Sequence, residues 1–429
     1  MPPTQRDPWL DNSKMVLVVF VVIGHSWGLL EKTQGSHWAY DFLYLWHIPA
    51  FVFVSGYLSK SFEWDRRRLK NLVYTLLVPY LLFEPALYYY RVTVVDETEP
   101  GTLWLEPHWT MWYLIVLLMW RLVTPILKLH WLFLPLSVVV SVLGGFWNTD
   151  LLMLPRFLGL LPFFVLGLHL KPRHLKHLDD VWVRIAAVPA LVGMAVAALF
   201  TDAWAQTAFL WYDAGYEDVG IDPVIAFQTR LTVMALGLVG AFSVLALVPR
   251  RSLGWFTVMG GATMVVYLFH GFVIKTVKAL GWPAWAEEHT TAGFVLTTLG
   301  AVALALLLAC PPVRRVLEPF TNPLGWWESR RARRAAAPSA ESREPSPAAP
   351  TAAPSAAPSP APAPAPTSAA PPSEAPIPAH APPSASVLSH RDVRGARGRA
   401  RRQPVGGAAG PAVPPEATST DDRGPASTR

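Results

Sequence analysis

Ten apolar stretches follow one another along the first 310 residues, at approximately 15–30, 40–58, 71–90, 109–127, 131–147, 155–170, 181–200, 221–248, 255–277 and 292–310. Backbone amides cannot stay unpaired in hydrocarbon, so stretches of this length must fold as helices if they enter a bilayer. The pattern predicts an all-α membrane protein, a ten-helix transmembrane domain over residues 1–328. Several stretches hold only 16 to 18 residues, at the lower edge for crossing a bilayer core, so their ends are soft. The first lacks a small-residue cleavage site and a second follows at once, so it is expected to be the first helix of the mature protein rather than a signal peptide.

Residues 329–429 read differently. Pro, Ala and Ser dominate there, in runs such as Pro360-Ala-Pro-Ala-Pro-Ala-Pro366, and no hydrophobic period survives. Such a composition cannot bury enough apolar area to offset the entropy of ordering, which predicts a disordered cytoplasmic tail. From Arg330 onward the tail holds 13 Arg against 7 acidic residues, which accounts for the whole net charge of +6. The body is therefore electrically balanced, and nucleic acid is not an expected partner. A basic tail could instead lie along an anionic leaflet. The single cysteine, Cys310, excludes an intramolecular disulfide.

Lys and Arg between the stretches set the expected orientation. Fifteen, including Arg6, Lys14, Arg66, Arg67, Arg68, Arg121, Arg250 and Arg251, fall on the side of the N-terminus; five, Lys32, Arg91, Arg156, Lys275 and Lys278, fall opposite. This asymmetry places both termini in the cytoplasm of a multi-pass plasma-membrane protein. The acidic segments 91–108, with Asp96, Glu97 and Glu99, and 201–222, with Asp213, fall on the outer side.

Polar residues within the apolar runs are costly and so mark function. His25 ends a run that begins at Met15, with Lys14 ahead of it. Eleven positions are almost three helical turns, so both side chains share a face about 16 Å apart. His47, Glu84, His108, Arg156, Arg230 and His270 map to the same outer depth as His25, which predicts a polar cavity opening outward. The histidines lack zinc-ligand spacing, and no metal is expected. No nucleophile elbow is evident. Ser55-Gly56 reads as close helix packing.

Leu10-Asp11-Asn12-Ser13-Lys14, ten residues, then His25 resembles the first-helix hallmark of the membrane-bound acyltransferase-3 family. His47-Ile-Pro-Ala-Phe-Val-Phe-Val-Ser-Gly-Tyr-Leu58 is similar to its second-helix stretch, particularly in the fucose O-acetylase-like branch. Trp109-Thr-Met-Trp-Tyr-Leu114, Pro162-Phe-Phe-Val-Leu-Gly167 and Tyr267-Leu-Phe-His270 resemble later landmarks, so the likeness covers about residues 6–310. The family's usual first-motif residue is arginine, whereas this chain has Lys14, a point charge without arginine's two-pronged geometry.

The resemblance implies an acyl-coenzyme A dependent O-acyltransferase with ten spans. No cofactor is held. Acyl-coenzyme A, with acetyl preferred, is the co-substrate, and a carbohydrate or other exported hydroxyl compound is the acceptor. The expected catalytic set is His25 as general base, Lys14, and Asp11 positioning Lys14. Candidates for the acceptor site are His47, Glu84, His108, Trp112, Arg156 and His270. Lys14, Arg66, Arg67 and Arg68 are candidates for holding the donor, although inside-positive topology alone explains the arginines. Two other readings stay open: a transporter or flippase with an outward cavity, expected to show repeated broken helices in its two halves, and a non-catalytic membrane scaffold.

Overall fold

Local chemistry starts the first helix, α1 (Pro8–Trp27): the Asp7 carboxylate accepts the Trp9 amide at 3.0 Å and Pro8 occupies the first turn. The computed structural model describes residues 7–30, 33–98, 101–147 and 149–336, and every regular element among them is a helix. After α1 come α2 (Gln34–Ser59), α3 (Arg66–Val94), α4 (Trp109–Leu127) and α5 (Phe133–Phe146). Next are α6 (Leu151–Gly159) and α7 (Leu161–His169), bent by 57° against each other, then α8 (Val181–Ala198) and α9 (Pro223–Leu247). A second bent pair follows, α10 (Thr263–Ala279) and α11 (Trp282–Glu288), turned by 65° at Gly281, whose φ of 83° suits glycine. The described chain closes with α12 (Thr290–Ala309), α13 (Pro311–Thr321) and α14 (Pro323–Ala336).

All ten apolar stretches are helical, but fewer are long and apolar enough to cross a bilayer. Six qualify, α2, α3, α4, α8, α9 and α12, and eight if each bent pair counts as one span. Helix α5 is too short: its 14 residues rise only about 21 Å. Helix α1 carries Asp11, Asn12, Ser13, Lys14 and His25, which dilute its apolar character. Helix α14 runs across the expected boundary at residue 328 as far as Ala336. Arg6, Lys32, Glu99 and the tail beyond Ala336 lie outside the described residues.

Within a bilayer, lipid is as apolar as leucine, so helices join through close backbone approach rather than hydrophobic burial. Helix α2 shows how. A methyl group on Gly56 would overlap the Phe164 backbone of α7, and one on Gly167 would meet the backbone of Phe53 and Tyr57. Gly240 of α9 likewise admits Trp46. Close packing at Ser55-Gly56 is thus what the structure contains. Helix α8, by contrast, leaves Val181, Trp182, Ile185, Val188, Val192 and Val196 exposed, a surface suited to lipid. Helix α1 lies inside, against α2, α10 and α12. One side chain also ties it down: Asn12 donates to the carbonyls of Pro249 and Arg251 at 2.8 and 3.0 Å and accepts from Thr257.

Candidate active site

The buried position of α1 aims Lys14 and His25 into the bundle. Lys14 pairs with Asp11 at 2.7 Å, so the carboxylate one turn earlier positions the ammonium as the spacing suggests. At the far end, His25 Nδ1 lies 2.8 Å from Nε2 of His270 on α10, and the two rings are stacked. His270 Nδ1 lies 2.9 Å from the Val266 carbonyl, which can only accept. A neutral His270 therefore carries its proton on Nδ1 and accepts from His25 through Nε2. His25 must then carry its own proton on Nδ1, which leaves Nε2 as an unprotonated lone pair. The assignment follows from hydrogen-bond logic.

A cavity of about 280 Å³ adjoins His25, walled by Tyr40, Tyr44, Ile48, Trp109, Trp112, Arg156, Trp211 and Asp213. Aromatic faces dominate. Tyr40 and Tyr44 stack with centroids 4.0 Å apart, and the Trp109 ring lies 5.3 Å from that of His25. Trp109 adopts φ of 46°, a strained value for a bulky residue that brings the indole to the histidine. Arg156 sits with its guanidinium 4.8 Å above Trp112 and forms an ion pair with Asp213. Its charge is therefore balanced inside the chamber.

Three further cavities continue from His25 toward Lys14. A constriction of about 20 Å³, lined by Val18, His25, Thr110, Tyr113 and Tyr267 among others, shares His25, Ile48 and Trp112 with the chamber. Beyond it a cavity of about 330 Å³ reaches Lys14 and Arg121 and shares Phe51, Tyr113 and Tyr267 with the constriction. The last, of about 300 Å³, shares Leu58, Thr75 and Arg121 with that cavity and ends at Arg68. Through these shared lining residues the cavities form a track, narrowest at the constriction, between the two ends of the α1 face. In the constriction the hydroxyls of Tyr113 and Tyr267 are engaged, with Ser55 and the Thr110 carbonyl. The buried Thr110 hydroxyl has no partner among the described residues.

Of the residues singled out from sequence, the structure brings His25, His270, Trp112 and Arg156 together at one end, and Lys14, Asp11 and Arg68 at the other. Others lie elsewhere. Glu84 accepts from the His108 amide at 2.9 Å and pairs with its ring, so the two bind the 95–108 loop to α3 and do not line the chamber. His47 is fully buried, bonded to the Leu43 carbonyl at 2.8 Å, with its ring edge-on to Tyr44 behind the chamber wall. Arg66 and Arg67 are exposed and do not line the track. Arg230 lies among Phe209, Tyr212 and Tyr216. Of these groups, Glu84, His108, His47 and Arg230 face neighbouring helices and loops rather than the chamber, a direction that spacing along the chain does not fix.

Tyr44, Asp213, Thr110 and Arg121 are the neighbours that sequence reasoning did not place at the site. The chamber is also braced from the loop. Buried on its own, Glu97 would titrate higher, but Lys275, Lys278 and Arg91 hold its carboxyl down at about 2. Lys275 in turn lies 4.6 Å over the Trp109 ring. Among the described residues no three His, Cys, Asp or Glu side chains gather as metal ligands.

A family model described as an acyltransferase domain, Acyl_transf_3, matches residues 7–310, the segment that holds every residue of the track. No curated protein and no solved structure matches the chain.

Proposed function

The chain belongs to the acyltransferase-3 family and is a membrane protein with an acyltransferase domain, and from that premise we propose that it moves an acyl group, acetyl foremost, from acyl-coenzyme A to a hydroxyl of a carbohydrate or other exported compound. One observation supports this most: the track that runs along α1 from the Lys14 end to the lone pair of His25. The donor's nucleotide stays at the Lys14 end. Its slender pantetheine arm occupies the track, and the thioester lies at the constriction, while the acceptor enters the aromatic chamber.

His25 Nε2 takes the acceptor's proton as that oxygen attacks the thioester carbonyl, and the thiolate of coenzyme A leaves along the track. His270 acts through His25: by accepting Nδ1–H it keeps Nε2 unprotonated before the step and shares the charge after it. The unpartnered Thr110 hydroxyl is the donor at hand for the carbonyl oxygen as negative charge develops. Arg156, Trp112 and Tyr40 present a cation and flat faces on which a ring with several hydroxyls can bind. The reading places Lys14 in the cytoplasm of a plasma-membrane protein, as the charge asymmetry suggests, and keeps ten spans and the fucose O-acetylase-like likeness as expectations.

The test is acyl transfer from radiolabelled acetyl-coenzyme A in membranes holding matched amounts of folded wild type and His25→Ala. Turnover should fall by about 100-fold to 10,000-fold. Near wild-type turnover by the variant would remove His25 as the base.

A further inference from the structure

Among the described residues, Arg121 is the cation lining the track that no carboxylate balances. Its neighbours are paired: Lys14 with Asp11, Arg68 with Asp65, Lys128 with Glu63 and Lys70 with Glu328. Arg121 has no carboxylate partner among the described residues. Its Nε donates to Ser59 Oγ at 3.2 Å, and Ser59 donates onward to the Ser55 carbonyl at 2.7 Å. The hydroxyl therefore fixes one edge of a half-buried guanidinium, with its own proton committed to the Ser55 carbonyl. Both terminal nitrogens remain without hydrogen bonds among the described residues, and the residue lines both the cavity with Lys14 and the cavity with Arg68. An oriented, unneutralised guanidinium at a cavity junction matches the two-oxygen geometry of a phosphate.

We propose that Arg121, held by Ser59 and flanked by Arg68 and Asn71, is a phosphate-binding site that takes the diphosphate of the acyl donor. The assignment rests on the donor reading above and deepens it. Lys14, already neutralised by Asp11, is secondary for this contact, which accounts for a lysine at that position. Arg121 fixes the nucleotide end, and the remaining arm is directed into the constriction toward His25.

The test is isothermal titration of the full chain in phosphatidylcholine nanodiscs with coenzyme A, inorganic diphosphate and pantetheine as probes. Arg121→Gln should weaken coenzyme A and diphosphate binding by about 10-fold to 100-fold and leave pantetheine unchanged. Arg121→Lys, which keeps the charge and loses the fork, should fall between. Equal coenzyme A affinity in wild type and Arg121→Gln overturns the proposal and leaves the donor reading intact. Parallel loss of pantetheine makes Arg121 a packing residue and also overturns it. If wild type binds diphosphate through Arg121 but binds neither coenzyme A nor pantetheine, the phosphate site is supported and the donor reading fails. Phosphatidylglycerol that competes with coenzyme A in wild type and not in Arg121→Gln overturns the donor as the source of that phosphate in favour of a lipid headgroup.

Discussion

The two ends of the α1 face are built on opposite electrostatic plans. Around His25 charge is balanced locally: Arg156 meets Asp213, and the His25–His270–Val266 chain uses every ring nitrogen but one. Around Lys14 the balance is incomplete, because Arg121, bonded to Ser59, has no carboxylate partner among the described residues. A closed hydrogen-bond chain fixes a tautomer and so suits proton transfer, whereas an open cation suits retention of an anion. On the proposed function, the difference suits one end to chemistry and the other to anchoring, with the constriction between them.

The largest expected effect comes from separating the ends. Val18→Trp fills the constriction, and should lower acyl transfer by about 100-fold or more while coenzyme A still binds at the Lys14 end. Unimpaired transfer by a folded variant would mean that the track is not the donor's route. Next is His270→Ala, which removes the acceptor for His25 Nδ1–H and should cost about 10-fold to 100-fold in kcat. His270→Gln places a carbonyl oxygen near the lost nitrogen and should recover part of that loss; equal loss in both would argue for packing alone. A smaller change is expected for Arg156→Gln, a rise in acceptor KM of about 10-fold with donor KM unchanged. A shift in donor KM instead would reverse the assignment of ends.

The smallest effect lies outside the track. Three cations hold the Glu97 carboxyl at about 2, against a usual value of 4.5. A depressed carboxylate contributes stability above its unfolded value, and that contribution is lost as pH falls from about 4.5 toward 2. Thermal unfolding of wild type should decline over that window. Glu97→Gln should lack that decline and start lower at neutral pH; identical profiles would show that the loop clamp adds nothing.

How much of this was legible in the sequence depended on what each residue needed. Lys14 and His25 are on one helix, so their common face follows from the 3.6-residue turn alone. Asp11 is one turn from Lys14, equally local. Arg156, Trp112 and His270 line or adjoin the chamber, but nothing in the sequence distinguishes their orientation from that of His47, whose ring is behind Tyr44. Glu84 and His108 are separated by 24 residues, and their pairing is a tertiary fact. Arg121 was hidden because a cation near a helix end also satisfies inside-positive topology, and only its missing carboxylate sets it apart. The number of spans is only partly legible for a related reason: apolar length identifies helices, while bends such as that between α6 and α7 depend on how they pack.

The most direct measurement is an experimental structure of the full chain with a non-hydrolysable acetyl-coenzyme A analogue. The account predicts diphosphate at Arg121, the arm threaded through the constriction, and the acyl carbonyl close enough to His25 Nε2 for an acceptor hydroxyl to bridge them, about 3–3.5 Å from each reacting atom. An analogue bound on another surface, or bound in the track with its acyl group distant from His25, would contradict it.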